Sequence, residues 1–144
     1  MSPDYRVNAP ISADEFIDLL TRSTLAERRP VDDRACIEGM LANASLTVSA
    51  WDGSLLVGIA RSVTDFHFAC YLSDLAVDQG FQKSGIGKQL QAITQQQLGL
   101  NCKLILLAAP GASDYYEPLG YSRSDRCWVL DPDVHITGTQ TGRA

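Results

Sequence analysis

The chain has 144 residues, 45% of them hydrophobic and 20% charged, with a net charge of −5; this is the composition of one globular domain with a real core, and it excludes disordered and fibrous classes. The acidic balance argues against nucleic acid as a partner and favours a cationic substrate such as an amine. Cys36, Cys70, Cys102 and Cys127 are scattered, form no Cys-x-x-Cys pair and have only two histidines to join them, so no metal is expected; without a membrane-length apolar run or a signal-like N-terminus, the expected setting is the cytoplasm, with no membrane partner and reduced thiols.

Tyr5 to Asn8 reads as a first strand. Ser12 and Glu15 form a capping box, flanked by the apolar pair Ile11 and Phe16, so a helix is predicted to begin near Ala13. Phe16, Ile17, Leu19 and Leu20 would be its buried face. Ser23 to Pro30 is polar and arginine-bearing, and a second helix follows over Asp33 to Asn43, burying Ile37, Met40, Leu41 and Ala44. Asp52-Gly53-Ser54 between Leu46–Trp51 and Leu55–Val63 is a hairpin signal. Gly58 inside the second strand marks a bulge or a close approach of another backbone.

Phe66, Phe68, Cys70 and Leu72 alternate as the apolar face of a strand, but the next apolar positions are Leu75 and Val77. The alternation slips by one residue at Ser73-Asp74, which predicts a β-bulge and backbone groups released from the ladder. Gln82-Lys-Ser-Gly-Ile-Gly87 then opens onto a helix over Gly87 to Leu98, with Ile86, Leu90 and Ile93 at helical spacing and Gly99 as its stop. A short glycine-bearing loop before a helix start is an anion site in outline, because unpaired N–H groups and the positive end of the helix dipole point the same way. A Walker A loop is excluded, since Ile86 and Gly87 stand where Lys and Ser or Thr must follow the second glycine. The dinucleotide fingerprint fails as well, with Leu90 in place of its third glycine.

Lys103 to Ala108 is a near-continuous apolar run, read as a central strand lying parallel to the bulged one with the intervening helix as crossover. Ser113 is positioned to cap a short helix carrying Tyr115 and Tyr116, which Pro118 limits to a turn or two and Gly120 ends. Cys127 to Leu130 would close the sheet, with Cys70 and Cys127 as buried thiols, and 131–144 would be a flexible tail. The fold class expected is α/β, one domain over 1–130 around a mixed, largely antiparallel sheet flanked by helices.

Gln82-x-x-Gly85-x-Gly87 at a strand-to-helix turn resembles the acyl-CoA pyrophosphate loop of the GCN5-related N-acetyltransferase (GNAT) family. Leu75-Ala76-Val77 is similar to the end of that family's bulged fourth strand, and Tyr115-Tyr-Glu-Pro-Leu-Gly-Tyr121 to its Phe-Tyr-Glu-Lys-Leu-Gly-Phe segment. The likeness covers about Leu46 to Leu130. It implies acetyl-CoA as co-substrate, with pantetheine in a slot between the bulged strand and the parallel strand splayed from it. Leu75, Ala76 and Val77 would border that slot, and Gln82, Lys83, Ser84, Gly85, Ile86, Gly87 and Lys88 would hold the pyrophosphate.

The implied reaction is transfer of an acetyl group to a primary amine by direct attack in a ternary complex, carried out by a monomer or homodimer. Tyr116 matches the motif's tyrosine and is the candidate acid for the departing thiolate. The family's strand glutamate corresponds to about Tyr71, so Asp74 becomes the candidate base, with Ser73, His67 and a water relay as alternatives. Glu27, Arg28 and Arg29 are candidate acceptor contacts because the segment around the first two helices helps select the acceptor. Ala109 stands where some branches carry asparagine, which argues against a protein N-terminus acetylating branch. The run from Gly58 to Asp65 is similar to small-amine acetyltransferases. A non-catalytic acyl-CoA-binding or regulatory module, and a peptide-amine acetyltransferase, remain alternatives.

Overall fold

A computed structural model describes residues 2–138, 140 and 142. The chain divides into two units, Met1–Leu107 and Ala108–Ala144. In the first, five strands form one sheet in the order of the sequence: β1 (Asp4–Val7), β2 (Leu46–Asp52), β3 (Leu55–Thr64), β4 (Ala69–Val77) and β5 (Lys103–Ile105). Neighbours are antiparallel except β4 and β5, which run parallel.

Both helices expected before the sheet form where their caps put them. Helix α1 (Ala13–Arg22) carries the complete capping box: Ser12 accepts from the Glu15 N–H while Glu15 accepts from the Ser12 N–H. Asp33 caps α2 (Arg34–Ala42) by accepting from the Cys36 N–H. Phe16, Leu19, Leu20 and Ile37 from these helices pack on Trp51, Leu56, Ile59 and Ala76 of the sheet. Helix α3 (Ile86–Gln96) covers the other face, where Ile86 and Leu90 meet Val48, Ala50, Val57, Ala60 and Leu72. Burying side chains of this size stabilises by roughly 1.5–3 kcal/mol each relative to exposure.

The register carries two irregularities. Between Ala50↔Gly58 and Trp51↔Leu56 the extra residue is Val57, and a side chain at Gly58 would meet Ile86 and Leu90 at 3.1 Å. The bulge reading of Gly58 holds, since the strand bulges beside it; what approaches it closely is the side chains of α3 and not another backbone. Between Arg61↔Asp74 and Ser62↔Leu72 the extra residue is Ser73. The slip seen in the sequence becomes a change of face. Leu72 lies on the α3 side, Ala76 lies on the α1 and α2 side, and Leu75 and Val77 pack toward α3.

Other expectations need correction. Phe66 and Phe68 precede β4 instead of belonging to it: the Asp65 carboxylate accepts from the N–H groups of His67, Phe68 and Ala69, Phe66 has φ +66°, and Phe68 is 65% exposed. A side chain that collects three successive amides makes a turn, which alternation alone does not reveal. Helix α3 ends at Gln96, before Gly99, whose N–H bonds the Phe66 carbonyl at 2.8 Å. β5 is a three-residue edge strand, not a central one, and Ile105 and Leu107 are exposed.

The second unit holds α4 (Ser113–Tyr116), a 3-10 turn over Glu117–Leu119, and Gly120 at φ +107° as its end. Ser113 is the first helical residue and not the cap; Ala112 holds that place and caps nothing with its side chain. Pro118 sits at the start of the 3-10 turn, consistent with its missing donor. Among the described residues of this unit there is no strand, so Cys127–Leu130 does not close the sheet, and both Cys127 and Trp128 are exposed. Asp131 and Val134 make a turn. Residues 139, 141, 143 and 144 of the expected tail lie outside those described.

Candidate functional site

The ladder between β4 and β5 covers only Ala69–Tyr71 against Lys103–Ile105. Beyond Tyr71, β4 continues to Val77 paired with β3 alone. In an extended strand alternate backbone groups point to opposite sides, so part of the Leu72–Val77 backbone faces away from β3 where β5 has ended. Leu75, Ala76 and Val77 lie in that stretch, and their side chains are half-buried to buried.

The chain then makes a 3-10 turn over Gln79–Phe81, capped by Asp78, whose carboxylate accepts from the Gly80 N–H at 2.7 Å. Gln82 reaches back to donate to the Val77 carbonyl at 3.0 Å, and Ser84 donates to the Phe81 carbonyl. Lys83 and Gly85 both adopt left-handed backbone, φ +64° and +88°. Gly85 is the N-cap of α3, with no side-chain cap hydrogen bond and no acidic residue in the first turn. The first N–H groups of a helix lack intrahelical partners, and here they sit behind an exposed loop with Lys83 and Lys88 exposed beside them. A side chain at Gly85 would meet no other atom within 4 Å. This open, uncapped helix start fits a phosphate group, and Gln82 to Lys88 are the residues that would hold one.

The structure brings two other sequence candidates together as partners. Asp74 is fully buried, 0% exposed, and its Oδ1 and Oδ2 accept from the Nε groups of Arg29 and Arg61. Arg29 also donates to the Ser73 carbonyl at 2.8 Å, and Arg61 to the Ser73 hydroxyl at 3.0 Å. Thus Asp74, expected as a base, anchors two guanidiniums, and Arg29, expected at the acceptor, ties the bulge to the segment after α1. Glu27 and Arg28 lie in that segment and are exposed. Arg61 was not identified from the sequence; the only signal was an arginine directly after the apolar run Leu55–Ala60 of the same strand.

Tyr116 lies in the second unit, half-buried, with its ring edge-on to Tyr115 and Tyr121 at 5.0 and 5.5 Å between centroids. His67 is exposed in the β3–β4 turn, and Tyr71 is exposed on β4. Cys70 is buried, which pushes its thiol up. A depression of about 520 Å³ between the β1–α1 and α2–β2 connections shares no residue with these groups. Among the described residues no helix is long and apolar enough to cross a membrane. No group of three or more His, Cys, Asp or Glu side chains is arranged there to hold a metal ion.

A family model described as an acetyltransferase (GNAT) domain matches residues 21–129. An N-acetyltransferase designated ycf52 from Gracilaria tenuistipitata var. liui is 28% identical over 136 residues, 88% of this chain and 70% of that protein. A ycf52-like N-acetyltransferase from Prochlorococcus marinus is 27% identical over 123 residues, 81% of this chain but only 62% of its own length. Among solved structures, the aminoglycoside N-acetyltransferase AAC(6')-Iy in complex with CoA superposes with a TM-score of 0.68 at 20% identity, covering 92% of this chain and 95% of that one.

Proposed function

Because the chain belongs to the GNAT acetyltransferase family, we propose that it moves an acetyl group from acetyl-CoA to a primary amine of a small molecule. The observation that carries this reading is the uncapped start of α3 behind Gly85, placed at the end of a strand whose parallel neighbour has stopped short. The likeness in fold to an aminoglycoside N-acetyltransferase supports a small, amine-bearing acceptor, and a net charge of −5 favours a cationic one.

In this reading the N–H groups of Ile86, Gly87 and Lys88 and the side chains of Gln82 and Lys83 bind the pyrophosphate, while Ser84, whose hydroxyl donates to the Phe81 carbonyl, holds the loop in shape around it. The backbone of Leu75–Val77 orients the pantetheine arm and the thioester carbonyl. An alkylamine with a pKa of about 10.4 is neutral in only about one part in 10³ at pH 7, so its proton must be removed before attack. Asp74 already holds two guanidiniums, and the reading therefore assigns that step to water. The neutral nitrogen attacks the carbonyl carbon, the C–S bond breaks as the Tyr116 hydroxyl gives its proton to the departing sulfur, and the proton shed by the new amide nitrogen returns through water to the tyrosinate. Tyr116 has this role because it stands in the family motif's tyrosine position. Glu27 and Arg28 meet the acceptor, and the protein works in the cytoplasm with its cysteines as thiols.

The test is a panel of small amines, polyamines and peptides with acetyl-CoA, read by free-thiol release. Small amines are expected to give turnover. CoA binding without thiol release from any amine would instead make the domain a non-catalytic acyl-CoA sensor, and preference for peptides would move the acceptor class. Tyr116→Phe is expected to lower kcat by about 10²–10³-fold with CoA affinity kept, since general acid catalysis is worth about 10²–10⁴-fold. Tyr115→Phe is the control and should retain activity.

A further inference from the structure

Two arginines on one arm of the first unit grip both ends of the β4 segment that leads into the loop before α3. Arg22, the last residue of α1, pairs with Asp78 and donates to the Leu56 carbonyl at 2.7 Å. Asp78 is the residue whose other oxygen caps the 3-10 turn at Gly80. Arg29, beyond the 3-10 turn Leu25–Arg28, pairs with Asp74 and donates to the Ser73 carbonyl. The extra residue of the bulge is thus held by its carbonyl from one arginine and by its hydroxyl from another, Arg61, which also donates to the Met40 carbonyl of α2.

This arrangement is more than surface pairing. The Asp74 side chain is 0% exposed and Arg61 6%, while Arg29 and Arg22 are 23% and 24% exposed, so the carboxylate that Arg29 and Arg61 share is shielded from solvent and its two guanidinium partners are held in fork geometry around it. An exposed ion pair such as Arg34 with Asp14 has no such constraint. A bulge is a local two-choice feature of a ladder, and side chains that bind its extra carbonyl and hydroxyl select one choice.

We infer that Arg22 and Arg29, one just before the 23–30 segment and one near its end, are positioning residues that clamp this segment onto Asp78 just beyond β4 and onto Asp74 within it, so that ordering of the segment and binding of CoA along β4 and its loop are energetically coupled. The coupling rests on the CoA-binding reading above. It is reciprocal: whatever fixes the strand favours the ordered segment, and whatever frees the segment loosens the strand. Arg29→Lys keeps the charge but lacks the fork, so it can serve Asp74 without also holding the Ser73 carbonyl.

The experiment is amide hydrogen exchange on the full chain, with and without CoA, for wild type, Arg29→Ala, Arg29→Lys, Arg22→Ala and the exposed control Arg34→Ala. The reporters are the segment amides of Glu27, Arg29 and Val31, which bond Thr24, Ala26 and Arg29 carbonyls, and the amides of residues 73–78. In wild type, CoA should slow the segment amides about five- to tenfold, the lower part of the range of allosteric couplings. Arg29→Ala should lose that protection and speed exchange over 73–78 even without CoA. Arg29→Lys should melt close to wild type yet stay uncoupled, and Arg34→Ala should behave as wild type. Equal protection of the segment in wild type and Arg29→Ala would overturn the clamp, as would full recovery by lysine. A wild type that shows no CoA binding by calorimetry would overturn the functional reading and the coupling with it, whereas CoA binding without segment protection would overturn the coupling alone.

Discussion

Helices α1 and α3 begin in opposite ways, and the contrast separates what the sequence does for folding from what it leaves for a ligand. α1 starts with a reciprocal capping box and has Asp14 and Glu15 in its first turn, so its orphan N–H groups and its dipole are answered from within the chain. α3 starts on Gly85, in left-handed backbone, with no side-chain cap and no acid in its first turn. The β3–β4 turn offers a third case. There one carboxylate, Asp65, collects three successive amides at 3.0, 2.8 and 3.1 Å. In both of those places side chains of the chain itself answer the amides, and we propose that at the start of α3 an anion from outside takes that part.

The largest expected effect comes from removing that open cluster. Gly85→Val places a β-branched residue at φ +88°, where L side chains are strained. Re-forming the loop should weaken CoA binding by about tenfold to a hundredfold, which corresponds to about 1.4–2.8 kcal/mol. Calorimetry with CoA checks this, and unchanged affinity would detach the loop from the function.

Ser12→Ala is the matching change at α1. It should lower folding stability by about 1 kcal/mol, within the 0.5–2 kcal/mol typical of lost caps, and leave CoA affinity as it was. Denaturant melts beside calorimetry separate the two readouts. If Ser12→Ala weakened CoA as much as Gly85→Val does, the division between a folding cap and a ligand cap would collapse.

Lys88→Glu makes α3 begin more like α1, with an acid in the first turn. The helix should gain about 0.3–1 kcal/mol from the dipole while CoA affinity falls a few-fold, so stability and binding should move in opposite directions. Movement in the same direction would mean that Lys88 acts through the fold.

These local devices were legible because each depends on residues close in sequence. Ser12 with Glu15, Asp52-Gly53-Ser54, and the slip at Ser73 all announce themselves within a few positions, and all three form as the pattern predicts. The arginine clamp was not legible in that way. Arg29 and Asp74 are distant in sequence, and nothing periodic links a charged loop residue to a bulge; each suggested a separate role until packing joined them. Phe66 and Phe68 misled for a related reason: alternation reports apolar spacing, while the backbone there obeys the Asp65 carboxylate. For Lys103–Ala108, an apolar run could not distinguish a covered central strand from a short edge strand.

The smallest effect tests the Asp65 turn, the internal counterpart of the open helix start. Hydrogen bonds from the Phe68, Ala69 and His67 amides hold the Asp65 carboxyl below its ordinary value of 3.8. A carboxyl depressed in the folded state contributes stability that is fully present above the ordinary value and is lost as pH falls through the lower, folded-state one. Asp65→Asn keeps a hydrogen-bonding oxygen but removes the charge, so it should melt slightly earlier at neutral pH and lose less of its stability on acidification. Melting temperatures from pH 6 downward would show the two proteins converging below pH 3.8. Curves that stay parallel through that window would mean that the amides gain nothing from a negative charge, and the analogy with an external phosphate at α3 would lose its internal model.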